Sequence, residues 1–424
     1  DPTLSAPLKQ QAPPMLMTGD QQLVKQMNRM ALVRMLCREP ALSRADLAVR
    51  LGLTKSTVGM LVRELVEEGW LSEAETVTTG GLGRRPTPLH VDNTRLALLG
   101  IDVGVDEARL VATTLTGETL ATTPLAYADP SQAAACLAAV ADAALQLTRD
   151  RALRGRRVLG VGVGLHGGVD ESLRLLHFAP NLGWRNVPVG QWLRQSWQGT
   201  ALADLPLLVQ NEADMAVLAE HEFGPASNAG SGPLVYVSLG WGVGAGVVVR
   251  DTLLTGARGF AGEVGHMVLQ SRGPLCSCGR RGCAEALIGF RALLTRDQTL
   301  AQLTEAVDAA EPTALWRLQD AGRHLGILLN NLWVAFDPVR IIVGGPAMRL
   351  GPTLLELAQQ VLRAHASSAQ LTPPMVQASS LGADAVAMGA AAYVRYHLTR
   401  PMAQAPEPGL GAPSTLSSPP LTTA

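Results

Sequence analysis

Three cysteines fall within eight residues, in the run Cys276-Ser277-Cys278-Gly279-Arg280-Arg281-Gly282-Cys283. Soft thiolates at such spacing can close on one small ion and select zinc over magnesium or calcium. A structural zinc site takes four ligands, and His266, ten residues upstream, is the nearest candidate for the fourth. The set His266, Cys276, Cys278 and Cys283 leaves no open position, so a structural zinc is expected; the alternative is a trio of free thiols in a reducing compartment. The other two cysteines, Cys37 and Cys136, lie in helical-looking apolar runs and read as buried thiols. Clustered rather than dispersed cysteines point to the cytoplasm.

A second constellation lies near the start of the chain. Lys55, Ser56, Thr57 and Arg63 share the polar face of one helical segment, where they can bond phosphates or base edges, and Gly59 and Met60 lie beside them. Arg84 and Arg85 follow Gly80-Gly81-Leu82-Gly83, a glycine-rich hairpin tip that suits long cations reaching a minor groove or phosphate. Between residues 21 and 90 there are ten Lys and Arg against seven Asp and Glu, whereas the whole chain is −1. The alternative reading of this segment is a three-helix interaction module with a solvated polar face.

The elements that must position these residues follow from periodicity. Val24, Met27, Ala31, Leu32, Met35 and Leu36 mark the apolar face of a first helix ending at Pro40. Ser43 with Asp46 reads as an N-cap opening a second helix to Leu51; Gly52 turns the chain, and Thr54 caps a third helix carrying Val58, Leu61, Val62, Leu65 and Val66. Helix, short turn, helix, then an Arg-tipped hairpin and a strand over 87–91 is a winged helix-turn-helix, the geometry that lays one helix in a major groove.

From about Leu96 strands alternate with helices. Strands are expected over 96–102, 110–115, 158–164, 234–239, 246–250 and 340–343, with helices over 131–149, 290–303 and 312–336. Such an α/β chain suggests two lobes around a cleft. The domains are drawn at 1–19 (flexible arm), 20–92 (DNA-binding head), 93–204 (lobe 1), 205–380 (lobe 2 with the zinc site) and 399–424 (disordered tail). A helix at about 381–398 is expected to return to lobe 1.

Composition sets outer limits. The 424 residues are 47% hydrophobic and 17% charged, which suits a globular chain of two or three domains and excludes a basic nucleic-acid coat or an acidic disordered solvator. The longest apolar stretch, 233–249, is broken by Ser238 and four glycines, so no membrane span is expected. No basic segment leads into an apolar one at the N-terminus, and no secretion signal is expected.

Gly262-Glu263-Val264-Gly265-His266, followed by Cys276-x-Cys278-Gly-x-x-Gly282-Cys283-x-Glu285, resembles the ROK family of repressors, open reading frames and sugar kinases. The resemblance extends through Pro180-Asn181-Leu182-Gly183-Trp184, Asn211-Glu212-Ala213-Asp214, Leu239 to Gly246 and Gly344-Gly345, and spans about Leu96 to Tyr396. It implies a two-lobed actin-like, ribonuclease-H-like ATPase fold with a sugar cleft. Matching positions put the sugar contacts on Asn181, Asn211, Glu212, Glu263, His266 and Glu285, a ring of amides and carboxylates suited to directional hydroxyls. His266 could serve zinc with one ring nitrogen and sugar with the other. Trp184 and Trp241 are candidates to stack on a sugar face, with core packing the commoner role of Trp.

The departures from the family's kinases fall in three catalytic elements. Their Asp-x-Gly-Gly-Thr phosphate loop is Asp102-Val103-Gly104-Val105-Asp106 here, which denies close backbone approach and sets an acid where phosphates would lie. Trp241 stands where the second phosphate loop carries Thr, and Glu212 replaces the Asp that serves as catalytic base. The resemblance therefore implies a sugar-responsive DNA-binding repressor, released by a monosaccharide, with ATP chemistry lost and no catalytic residue retained. A homodimer or homotetramer on a double-stranded operator is expected. Two rivals stand beside it: an active sugar kinase phosphorylating a hexose with ATP, and an interaction protein docking on a partner such as a sugar-transporter subunit.

Overall fold

The structure is a computed structural model describing residues 21–74, 87–224, 232–257 and 259–401. The expected arm, the tail beyond residue 401 and the Arg84-Arg85 hairpin tip lie outside the described residues.

Three helices open the chain: α1 (Gln21–Arg38), α2 (Arg44–Leu51) and α3 (Lys55–Glu67). Local chemistry explains their ends. Ser43 and Asp46 form a reciprocal capping box, Gly52 closes α2 at φ 65°, and the Thr54 hydroxyl accepts the Thr57 amide at 3.1 Å. A two-stranded antiparallel ribbon, β1 (Leu71–Glu73) with β2 (Leu89–Val91), completes the head. Its core joins Met30, Leu32, Val33 and Leu36 to Leu47, Val58, Leu61, Val62 and Leu65. Val24 and Met27, expected on the buried face of α1, are exposed instead. The part of α1 that is buried begins at Met30, where it meets α3 and the rest of the chain.

The next sheet holds β3 (Leu96–Val103), β4 (Glu107–Thr113), β5 (Thr119–Ala126), β6 (Arg157–Leu165) and β10 (Leu207–Asn211). Its order across the sheet is β5-β4-β3-β6-β10, with β3, β6 and β10 parallel and the β3-β4-β5 meander antiparallel. Helix α4 (Ala133–Thr148) and α5 (Val189–Ser196) pack on one another beside it, and a small sheet of β7 (Gly168–Asp170), β8 (Leu175–Ala179) and β9 (Trp184–Val187) projects toward the cleft.

Helix α6 (Glu212–Glu222) leads into the second lobe. There β11 (Leu234–Leu239), β12 (Val243–Val249), β13 (Thr252–Leu253), β14 (Arg340–Gly344) and β15 (Met375–Ala378) form a sheet in the order β13-β12-β11-β14-β15. Both lobes thus carry an antiparallel meander whose first strand pairs with a parallel strand, and the two sheets have the same topology. This repeated unit is the two-lobed actin-like architecture.

Five helices follow on the second lobe or between lobes: α7 (Ala284–Ile288), α8 (Phe290–Leu293), α9 (Leu300–Asp308), α10 (Pro312–Phe336) and α11 (Thr353–Ser368). The single helix expected over 290–303 is broken between α8 and α9, because Thr299 starts a fresh capping box with Gln302. The strand expected from Gly246 begins earlier, at Val243.

The last helix, α12 (Ala385–Thr399), lies on β3 and β6 and crosses α6, which itself packs on β11 and β12. Glycine makes the crossings possible. A Cβ at Gly389 would sit 1.7 Å from the Met215 carbonyl oxygen, and one at Gly246 would sit 2.2 Å from that of Ala213. The pair α6–α12 is therefore the shared spine between the lobes. Among the described residues no helix is long and apolar enough to cross a membrane.

Candidate functional site

Asn181, Asn211, Glu212, Glu263, His266 and Glu285 all line one cavity of about 660 Å³ between the lobes. Helix starts place most of them. Asn211 is the N-cap of α6: its carbonyl oxygen accepts the Ala213 amide at 2.8 Å, and its amide nitrogen donates to the Gly167 carbonyl at 2.9 Å. The Asn211 amide is thus largely committed to backbone, and it fixes Glu212 at the first position of α6. Glu285 occupies the first turn of α7, where its carboxylate accepts the Ser277 hydroxyl at 2.7 Å. Glu263 precedes the short turn Val264–His266.

Acids dominate this end of the cavity, and burial governs their titration. Glu212 is lifted to about 7, chiefly by burial, with Glu263 and Asp102 adding to the rise against the pull of His166. Its Oε2 is buried and has no hydrogen-bond partner. Glu263 is also pushed up by burial, and Asp214, behind them in α6, is held well above the ordinary range by burial and then by Glu212. The Glu212 Oε2 valence is thus open to a hydrogen-bond donor from the cavity.

His266 connects this end to the cysteines. Its Nδ1 lies 3.6 Å from the Cys276 sulfur, and the Cys278 and Cys283 sulfurs are 3.7 Å apart. One ligand atom from each of His266, Cys276, Cys278 and Cys283 lies within 4.8 Å of every other. A tetrahedral ion with Zn–S bonds of about 2.3 Å needs S···S edges of ~3.8 Å, so the donor set fits a metal ion. The other ring nitrogen, Nε2, sits 3.9 Å from the Glu263 carboxylate, so the two nitrogens of His266 serve different neighbours.

The cavity is also lined by the Gly104–Asp106 turn joining β3 to β4 and the Gly240–Gly242 turn joining β11 to β12. Sequence reasoning missed His166 here. Parallel pairing of β3 with β6 sets Asp102 opposite Gly164, and His166 two residues on contacts the Asp102 carboxylate at 3.0 Å. Burial opposes charge on His166, but Asp102 outweighs it and lifts the imidazole to about 9. Asp102 therefore has a protein cation as its partner. Trp241 lines the cavity and packs edge-on against Phe290, whereas Trp184 is buried and donates its indole N–H to the Pro130 carbonyl at 2.9 Å. Trp184 is a core residue rather than a ligand platform.

In the head, Lys55, Ser56 and Arg63 are exposed on α3 and Thr57 is half-buried. Neither Lys55 nor Arg63 has an ion pair among the described residues. Ser56 and Thr57 both bond the Thr54 hydroxyl, at 2.9 and 2.8 Å. Arg84 and Arg85 fall outside the described residues.

A second charged cluster, also unforeseen, joins the head to both lobes. Asp251, in the β12–β13 turn, accepts Arg34 at 3.1 Å and Arg38 at 2.5 Å from α1, His221 at 2.8 Å from α6, and Arg400 at 2.7 Å from beyond α12. Arg400 also pairs with Glu222 at 2.7 Å, and Arg395 reaches the same carboxylate at 2.6 Å while donating to the Leu115 carbonyl at 2.7 Å. Arginines set these acids: against the cost of burial, Arg395 and then Arg400 pull Glu222 down to about 2, and His221 and Arg400 hold Asp251 far below the usual carboxylate range.

Comparison with known proteins agrees with this layout. Residues 98–397 match the model of the ROK family, and residues 26–80 match that of the MarR family. The xylose repressor of Bacillus subtilis is 30% identical over 390 residues, covering 89% of this chain and 97% of that protein. A solved ROK family transcriptional regulator, a homologue of the E. coli MLC protein, superposes with a TM-score of 0.73 at 22% identity, over 89% of this chain and 98% of the other. A ROK family glucokinase from Streptomyces griseus, solved with glucose and AMPPNP, gives 0.60 at 27% identity over 70% and 99%. The match runs through both lobes and the cavity between them, and this chain belongs to the ROK family.

Proposed function

We propose that the chain is a sugar-responsive transcriptional repressor of carbohydrate-uptake or catabolism genes. The observation that carries the reading is the Asp251 cluster: a helix of the DNA-reading head is ion-paired to a turn of lobe 2 and to the ends of α6 and α12. A ligand that changes how the lobes close acts on those same elements, so occupancy of the cleft reaches the head. For the sugar to release DNA it must bind the DNA-free arrangement more tightly than the DNA-bound one.

Within this reading Asn181, Glu212, Glu263, His266 and Glu285 hold the hydroxyls of a monosaccharide, and Asn211 orients Glu212. Zinc, held by His266, Cys276, Cys278 and Cys283, is structural and fixes the His266 ring against the sugar. Lys55, Ser56, Thr57 and Arg63 contact one half-site of the operator, with Arg84 and Arg85 in a neighbouring groove. The protein works as a homodimer or homotetramer in the cytoplasm, and a sugar-transporter subunit is a further candidate partner.

The test is fluorescence anisotropy of the full chain on DNA from upstream of its own gene, at fixed salt, with a panel of monosaccharides. Tight binding that one sugar abolishes is the expected result, and an Asp251→Asn variant should bind both ligands yet no longer exchange one for the other. Tight DNA binding insensitive to every sugar would remove the cleft from the account. The rival reading, a sugar kinase, draws on one observation: a carboxyl near 7 suits a general base. A coupled assay showing sugar-dependent ATP consumption would establish it.

A further inference from the structure

Beside the cleft lies a second hollow of about 580 Å³. Phe178, Glu263 and His266 line both spaces, so the two adjoin. Phe178 comes from β8 of lobe 1, and Phe260 from the turn ahead of Glu263 in lobe 2. Their rings stack with centroids 6.2 Å apart and planes inclined by 25°. The chain has only five phenylalanines in 424 residues, and two of them meet at this opening, half-buried, outside the apolar cores of either lobe.

The pair is also built to lie as it does. A Cβ at Gly168 would come within 2.6 Å of the Phe178 ring and 3.1 Å of the Phe260 ring, so glycine there lets both rings settle against β7. The two rings cover one another in part and leave apolar surface at the opening. Met267 adds apolar surface, and Glu263 and the exposed Arg280 supply polar atoms at the edge. An apolar wall of two aromatic rings and Met267 with polar groups at its rim, adjoining a cavity lined by carboxylates, matches a pyranose: C–H groups on its face, hydroxyls round its edge.

We propose that this hollow is a second saccharide subsite, and that the full effector is a disaccharide or longer glycoside. Its first ring lies among Glu212, Glu263 and Glu285, and its next ring lies on Phe178 and Phe260. The proposal rests on the sugar reading of the cleft. It adds a consequence for specificity: a monosaccharide fills half of the binding surface and leaves the phenylalanines uncovered.

Titration calorimetry on the full chain separates the two claims. The probes are xylose, glucose and N-acetylglucosamine against their β-1,4-linked dimers xylobiose, cellobiose and diacetylchitobiose. One dimer should bind about tenfold more tightly than its own monosaccharide, equivalent to ~1.4 kcal/mol. Phe260→Ala should erase that gain and leave the monosaccharide affinity unchanged; Phe260→Trp, which keeps a ring face, should retain it. A monosaccharide that binds as tightly as its dimer, or a gain that survives Phe260→Ala, overturns the subsite while the cleft reading stands. Binding of neither monosaccharides nor dimers to the folded protein overturns the cleft reading itself, and the subsite with it.

Discussion

The cleft and the head–lobe joint are both clusters of sheltered charge, yet their acids are tuned in opposite directions. At the joint, Glu222 and Asp251 are surrounded by Arg34, Arg38, Arg395 and Arg400, and both carboxyls are pulled down. In the cleft, burial pushes Glu212 and Glu263 up against the pull of His166 and His266, and Glu212 Oε2 has no partner. Carboxylates paired within the protein hold its parts together. Carboxylates left unpaired hold a place for something else.

The contrast is open to direct attack. The largest effect is expected from Arg395→Met, which takes one of two arginine partners from the buried Glu222 carboxylate and leaves Arg400 as the other; breaking such a buried pair costs about 3–5 kcal/mol, read from urea melts. A loss below ~1 kcal/mol would mean that the joint is ornamental. Next, Cys276→Ser should lower zinc content and loosen His266, weakening sugar binding by about 10–100-fold in calorimetry paired with elemental analysis. Unchanged sugar affinity in a zinc-depleted variant would separate the metal from the cleft.

The pH dependences of the two regions should have opposite signs. Glu222 titrates lower folded than unfolded, so its stabilisation is present above the ordinary carboxylate pKa and fades as pH falls toward about 2. Glu212 titrates higher folded than unfolded, so it makes stability fall as pH rises from the ordinary carboxylate value through about 7. A sugar hydroxyl donating to Glu212 favours the ionised form, so sugar affinity should rise about tenfold between about pH 6 and pH 8. Glu212→Gln should flatten that profile, and a slope surviving in the variant would assign it elsewhere.

What the sequence makes legible is local or tied to a motif. The capping residues Ser43, Asp46 and Thr54 act within four positions of themselves, and all three cap where expected. His266 and the three cysteines lie within eighteen residues, so a hairpin suffices to gather them. The cleft residues Asn181 and Glu285 come together from far apart, and only the family resemblance joined them in advance. Tertiary pairing hides the rest. His166 meets Asp102 because β3 and β6 are neighbours in parallel register, and no spacing rule links residues 64 positions apart. The joint reaches from Arg34 to Arg400 and has no sequence signature. Periodicity also marks Val24 and Met27 as inner, yet the buried residues of α1 begin only at Met30.

The smallest effect is expected from Val105→Gly with Asp106→Thr, which restores the outline of the first phosphate turn. Turnover of ATP in a coupled assay should stay at background, and turnover above it would refute the loss. The reason lies in the repeated strand order. The Gly104–Asp106 and Gly240–Gly242 turns are the same hairpin in two copies of one sheet, facing each other across the cavity. Each copy is spoiled on its own account, one by Val105 and Asp106, the other by Trp241. A reversal confined to one copy leaves the substitutions in the other untouched. Because one strand order is used twice, the two turns act as a pair, and a nucleotide clamp would need both of them rebuilt together.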